Sequence, residues 1–203
     1  MVYYAEMTGI SIYRKIALRT GKKGWLPAGF TLFGESSPGE ADARLLYDSQ
    51  AGELGYEAFD EFLTLLKNAC ENANRKNDGA IAEYLKRNHI LRLIDKLCEE
   101  IYYYDSGIDL ILLLDAAFGW ATASRDMNLV KLGISLMGML NVGDREDCRK
   151  AIITLGKYEE FTLYSLYAVS EWADADRIAL DYARNLKGWG KKHAELMLAP
   201  EAI

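Results

Sequence analysis

Residues 144–156 read DREDCRKAIITLG, and the fold is decided by how this stretch is read. Asp144 suits a helix N-cap, Cys148, Ala151, Ile152 and Leu155 form a stripe at helical spacing, and Gly156 offers a left-handed stop. The same beat recurs on either side. Asp126, Tyr158 and Trp189 open or nearly open helical patterns 32 and 31 residues apart, and Asp144 and Asp174 open a second set 30 residues apart. Two helical segments within so short a period predict helix pairs stacked in series, not a single closed bundle.

Toward the C-terminus, Tyr158 to Trp172 is almost wholly apolar. Asp174 then caps a stripe of Ile178, Ala179, Tyr182, Ala183 and Leu186, which Gly188 stops. Trp189, His193, Leu196 and Met197 share one face of a last helix before Pro200. Toward the N-terminus, Met127 to Leu140 places Leu129, Gly133, Leu136, Met137 and Leu140 on one face. Ile108 to Ala121 is apolar nearly all round, which predicts burial on several sides. Tyr56, Phe59, Phe62, Leu63 and Leu66 repeat at three- and four-residue spacing until the polar run from Glu71 to Asp78 and Gly79 ends them. Ile81 to Lys86 leads into Ile90, Leu93, Ile94, Leu97 and Ile101. The triplet Tyr102, Tyr103 and Tyr104 closes on Asp105, Ser106 and Gly107. Adjacent tyrosines point in different directions on a helix, so they predict contact with two neighbours at once. Breaks are expected near Gly107, Arg125, Gly143, Gly156, Ala173 and Gly188.

Residues 1–40 differ, and are expected to form an irregular basic arm or cap over the first helices of a repeat domain spanning 41–203. They hold Pro27 and Pro38, lack a sustained helical period, and carry Phe30, Leu32 and Phe33 as a short extended piece between Gly29 and Gly34. From Gly39 to Ala199 there is no proline, as long runs of helix require. Residues 1–34 sum to +4, with Arg14, Lys15, Arg19, Lys22 and Lys23 against Glu6, while the remainder sums to −10. An acidic body disfavours nucleic acid, and the arm is expected to dock on that body or stay solvated.

Cys70, Cys98 and Cys148 are odd in number and far apart, which fits a reducing compartment. Charges interrupt the N-terminus, and Asp109 and Asp115 close off the strongest apolar run, Leu110 to Leu114. No signal peptide or membrane span is therefore expected, and the location read from the sequence is cytoplasmic.

The stretch Asp144, Cys148, Arg149, Ala151, Leu155 and Gly156 resembles the second helix of HEAT-like repeats, and the short period is similar to the brief HEAT-like units of phycobilin lyases. The Asp174 unit matches in outline, with Ala179 where the repeat would carry arginine, and residues before about 85 do not match. The resemblance implies a right-handed α-α superhelix and an interaction role, since such repeats are mostly scaffolds for proteins or peptides.

Catalytic signatures do not assemble. His89 and His193 stand outside any paired metal spacing, and His193 lies on an apolar face beside Trp189 as a packed histidine would. Gly21 to Gly24 lacks the spacing and ending of a phosphate loop, and Gly133-Ile134-Ser135 lacks the strand context and second glycine of a nucleophile elbow. No cofactor or metal is expected. The reading is a protein- or peptide-binding helical scaffold. Its second helices would present Arg145, Arg149, Ile153, Arg177, Leu180 and Arg184, off the apolar stripes, to a partner. The alternative is an enzyme or small-molecule binder with an interhelical pocket near Asp115, an acid costly to bury alone, and Trp120. The last helix leaves apolar area for a neighbour, for a second copy of the chain, or for residues beyond it, so self-association is expected there.

Overall fold

The computed structural model describes residues 9–21, 24–48, 54–103 and 107–198. Glu6, Lys22, Lys23, Tyr104, Asp105, Ser106 and Pro200, which enter the sequence reading above, lie outside them. The described helices are α1 (Ile12–Arg19), α2 (Glu40–Tyr47), α3 (Tyr56–Glu71), α4 (Arg75–Arg87), a 3-10 turn (Ile90–Arg92), α5 (Ile94–Tyr103), α6 (Leu110–Ala123), α7 (Met127–Met139), α8 (Glu146–Leu155), α9 (Glu159–Val169), α10 (Ala175–Asn185) and α11 (Gly188–Leu198). Among the described residues no strand occurs, and the chain is all-α. None of these helices is long and apolar enough to cross a membrane.

The organising element is α7. Asp126 caps it by accepting from the Asn128 and Leu129 amides, and every residue from Leu129 to Met137 is buried. It packs on α6, α9, α4, α5 and the 3-10 turn. Alternate helices meet, α7 on α9 and α9 on α11, so three of them form a row. On the other side α6 touches α8. Two glycines set the closeness of this row. A Cβ on Gly133 would stand 2.5 Å from the Ala117 carbonyl oxygen in α6, and one on Gly138 would stand 2.6 Å from the Ala168 Cα in α9. Any larger side chain would force these helices apart.

At Gly156 the backbone is right-handed, with φ of −62°, so the residue is not the left-handed stop that the sequence predicts. Its missing side chain serves another purpose. A Cβ there would lie 2.3 Å from both the Ser165 and Tyr182 hydroxyls. Those hydroxyls, from α9 and α10, donate to the Ile152 and Ile153 carbonyls at 3.1 and 2.9 Å and so satisfy the end of α8.

Several expectations are corrected. Arg145, not Asp144, occupies the N-cap of α8, and no side chain caps it. Asp174 stands at the N-cap of α10 but gives its carboxylate to Arg149 and Arg177 instead of to the backbone. Gly188 begins α11 at φ of +50°, while α10 ends at Asn185. The run from Ile108 to Ala121 is not buried all round: Leu110, Ile111 and Leu112 are exposed, while Ile108, Leu113, Ala117, Trp120 and Ala121 are buried. The polar run after Glu71 is mostly helix, since Asn74 caps α4 four residues before Asp78.

The arm is not irregular throughout. Ile12 and Ile16, one turn apart, are fully buried, and α1 packs against α6 and α8, far along the chain from the first helices. Ser11 caps it, and the Ile12 amide donates to the Ser124 carbonyl at 3.0 Å. Residues 24–38 follow without regular structure. Trp25 meets Tyr182 edge-on at 5.9 Å and Phe30 meets Tyr158 at 5.7 Å. No strand forms at Phe30 to Phe33, and Phe33 points largely to solvent.

Candidate functional site

Four segments far apart in sequence converge on Lys131. It is the only charged residue in α7, and its side chain is almost wholly buried. Its Nζ lies 2.8 Å from Asp42 Oδ2 on α2 and 2.6 Å from Glu160 Oε1 on α9. The other Asp42 oxygen lies 2.8 Å from His89 Nε2, at the start of the 3-10 turn. The Asp42 contacts are close ion pairs and not aligned hydrogen bonds. Glu160 Oε2 accepts from the Gly39 amide at 2.6 Å, directly before α2. Gly39 itself has φ of +79°, and a Cβ there would meet the Glu159 carbonyl oxygen at 2.9 Å, so both conformation and space require glycine.

Charge balance explains the protonation states. Burial by itself raises the Asp42 carboxyl, but His89 and Lys131 outweigh it and hold that carboxyl below its ordinary range. Burial likewise opposes the Lys131 ammonium, and Asp42 with Glu160 more than restores it. Tyr164, fully buried beneath, is pushed well above the usual phenol by burial and then by the same two carboxylates. The ammonium is thus spent on its neighbours and is no nucleophile.

The other end of α2 rests on aromatic rings. Tyr47 stacks on Trp189 at 6.2 Å and on His193 at 5.7 Å, and its hydroxyl lies 2.9 Å from His193 Nδ1. Lys192 stands over the Trp189 ring at 4.4 Å. Burial drives His193 down to about 4, with Lys192 adding to the effect and Asp42 opposing it, so the imidazole is neutral near pH 7. Its Nε2 is buried without a partner, while the Tyr164 hydroxyl lies against Asp42.

The residues foreseen as a partner-binding face are separated by their engagements. Arg149 pairs with Asp174 and stacks on Trp172 at 4.5 Å; Arg177 reaches the same carboxylate at 2.5 Å; Arg145 pairs with Asp147 at 2.9 Å. Ile153 is half-buried in the core. Leu180 and Arg184 remain exposed on α10.

Asp115 is exposed on α6, so the cost of burying it does not arise. It does line a cleft of about 510 Å³ together with Trp120, Arg75, Asp78, Cys70 and Gly119. Trp120 Nε1 donates to Asp78 Oδ1 at 2.7 Å, which satisfies the buried indole. The three cysteines are unpaired, and burial raises the Cys70 thiol to about 11. Among the described residues no three His, Cys, Asp or Glu side chains gather as a metal set.

An aromatic end was not foreseen. Tyr102 and Tyr103 are not wedged between two neighbours: both are exposed, Tyr103 at 82%, and only the Tyr102 hydroxyl reaches back, to the Met139 carbonyl. Tyr167, near the end of α9, lies close enough to Tyr102, Cys98 and Asp95 for them to act on it, and burial first and these groups next raise it to about 12. Antiparallel pairing across a three-residue turn brings the first turn of α6, with exposed Leu110 and Ile111, to the same end as the last turn of α7. Tyr102 is likewise raised by burial, then by Cys98 and Glu171. The described charges that act on Tyr102 and Tyr167 from side chains of Asp and Glu are Asp95 and Glu171. No protein-family model, curated protein sequence or solved structure matches this chain.

Proposed function

We propose that the protein is a non-enzymatic helical scaffold of HEAT-like stacked pairs, and that it binds a basic segment of a partner protein at its aromatic end. The observation that carries this reading is the exposure of Tyr102, Tyr103, Tyr167, Leu110 and Ile111 at one end, beside Asp95 and Glu171. Large apolar groups kept in water at one place mark contact surfaces, and tyrosine is prominent among residues that anchor partners. Carboxylates beside tyrosine faces favour lysine or arginine, by charge and by cation–π attraction. The contact of α7 with α9 and of α9 with α11 supports the repeat reading. An acidic chain with such an end is poorly suited to nucleic acid.

Selection of random twelve-residue peptides on the immobilised full chain tests this. Enriched peptides should carry Lys or Arg beside an apolar residue, and Tyr103→Ser with Ile111→Ser should weaken them at least tenfold. Enrichment that depends instead on Leu180 and Arg184 would move the surface to α10. No enrichment would defeat the reading.

A second reading has its own observation, the cleft between Asp115 and Trp120. Asp78 and Asp115, against the single cation Arg75, line it together with Ala69, Ala116 and Gly119 and suit an organic amine with a slim apolar body. Nothing within 4 Å would meet a Cβ on Gly119, so Gly119→Leu should fill the space without unfolding the protein. Saturable thermal stabilisation by hexylamine or tryptamine, lost in that variant, would favour this alternative.

A further inference from the structure

The way α2 is held differs from the way the helices of the row are held. Only Asp42 and Ala43 of its eight residues are fully buried, while Leu46 and Tyr47 are largely exposed. A helix this short does not persist alone in water. Its place therefore depends on what the body offers it, and the body offers three separate readers. Glu160 takes the amide of Gly39 at the helix start, Lys131 and His89 take the carboxylate at the third helical residue, and Trp189 with His193 take the ring at the eighth.

We propose that α2 is an intramolecular ligand, and that its seat on α7, α9 and α11 recognises a short helix of a partner protein that carries an acid near its start and an aromatic residue five positions on. Three features support exchange of one such helix for another. Lys131 keeps Glu160 when Asp42 leaves, so opening does not strand the buried ammonium. One polar group under α2, His193 Nε2, has no hydrogen-bond partner while the helix is seated. Ala43 is the one apolar residue of α2 that is fully buried, so the recognition is mainly one of charge and ring placement, which another segment reproduces with few residues. This proposal stands on the seat and not on the aromatic end.

The test uses the full chain and a fluorescent synthetic peptide of residues 37–48, SPGEADARLLYD. In the wild-type chain the seat is filled. In the Asp42→Asn/Tyr47→Ser chain the tethered helix is weakened, and the peptide should bind at least tenfold more tightly than to wild type. A peptide with Asn in place of the aspartate at position 42 should lose at least tenfold on that variant, and Tyr103→Ser, at the aromatic end, should change neither result. Equal binding to both chains, or binding indifferent to the carboxylate, would overturn the proposal. Should the variant fail to fold, hydrogen exchange on the wild type decides: α2 amides must exchange through openings at least tenfold more populated than those of α7. Exchange of α2 only with the whole molecule would make it a permanent part of the core, and the proposal would fall.

Discussion

Leu155 and Asp42 are equally hidden, at 0% and 1% exposure, yet they hold the molecule together in opposite ways. Leu155 belongs to an apolar interior in which α8, α9 and α10 close on one another, with Gly156 opening room for the hydroxyls that finish α8. Asp42 belongs to a seat where one ammonium sits between two carboxylates and Ala43 is the one apolar residue of α2 that is fully buried. The first kind of contact is non-directional and tolerates modest rearrangement. The second is all or none, because a buried charge without its partner is more costly than no charge at all.

The sharpest way to break the seat is Lys131→Met. It leaves Asp42 and Glu160 facing each other without a cation, and the loss should be about 3–5 kcal/mol by urea unfolding. Adding Asp42→Asn should return part of that loss; if the double variant is no more stable than the single, the two groups do not act as a pair. The matching test of the apolar side is Leu155→Ala, expected to lose about 2–5 kcal/mol, independently of Lys131→Met. An unchanged unfolding midpoint would mean that the stripe does not face the interior. A smaller effect, about 1–3 kcal/mol, is expected from Gly138→Ala, whose new methyl would press on the Ala168 backbone.

The smallest effect is one of pH. His193 falls from its ordinary 6.5 to about 4 in the fold, so between those values the unfolded chain takes up a proton that the folded chain refuses. Stability present above pH 6.5 is therefore lost as pH falls toward 4, with a slope of at most about 1.4 kcal/mol per pH unit. Asp42, held below the usual carboxylate range, withdraws its contribution only at lower pH. In His193→Gln the curve of stability against pH should flatten between 6.5 and 4. An unaltered slope would assign the acid sensitivity elsewhere.

The same contrast governs how much was legible in the sequence. Stripes such as Ile178, Ala179 and Tyr182 repeat locally, so the helices and most of their breaks can be read without knowing what they touch. Which helix lies innermost cannot be read that way. The run beginning at Ile108 is the more apolar, yet α6 keeps its first turn in water, and α7, with a lysine in its midst, is the one enclosed on all sides. Position in the stack decides burial, and composition follows only loosely. The seat left one trace in the sequence, that lone Lys131 among apolar residues. Nothing near Asp42 or Glu160 marks them as its partners, because pairing across 89 and 29 residues leaves no local period. At Asp115 an apolar neighbourhood does not mean a buried one: the residue is exposed and lines a cleft with Trp120.

The docking of α1 between α6 and α8 has a consequence for the order of events on the ribosome. Ile12 and Ile16 are made well over a hundred residues before the helix that completes their cover. At the usual pace of synthesis, roughly 5–20 residues per second, those side chains wait on the order of ten seconds without their native neighbours. Until α8 is made, α1 lacks one of the two helices that it packs between. A protease pulse during synthesis should find α1 cleavable until α8 is out, long after α3 and α4 have paired.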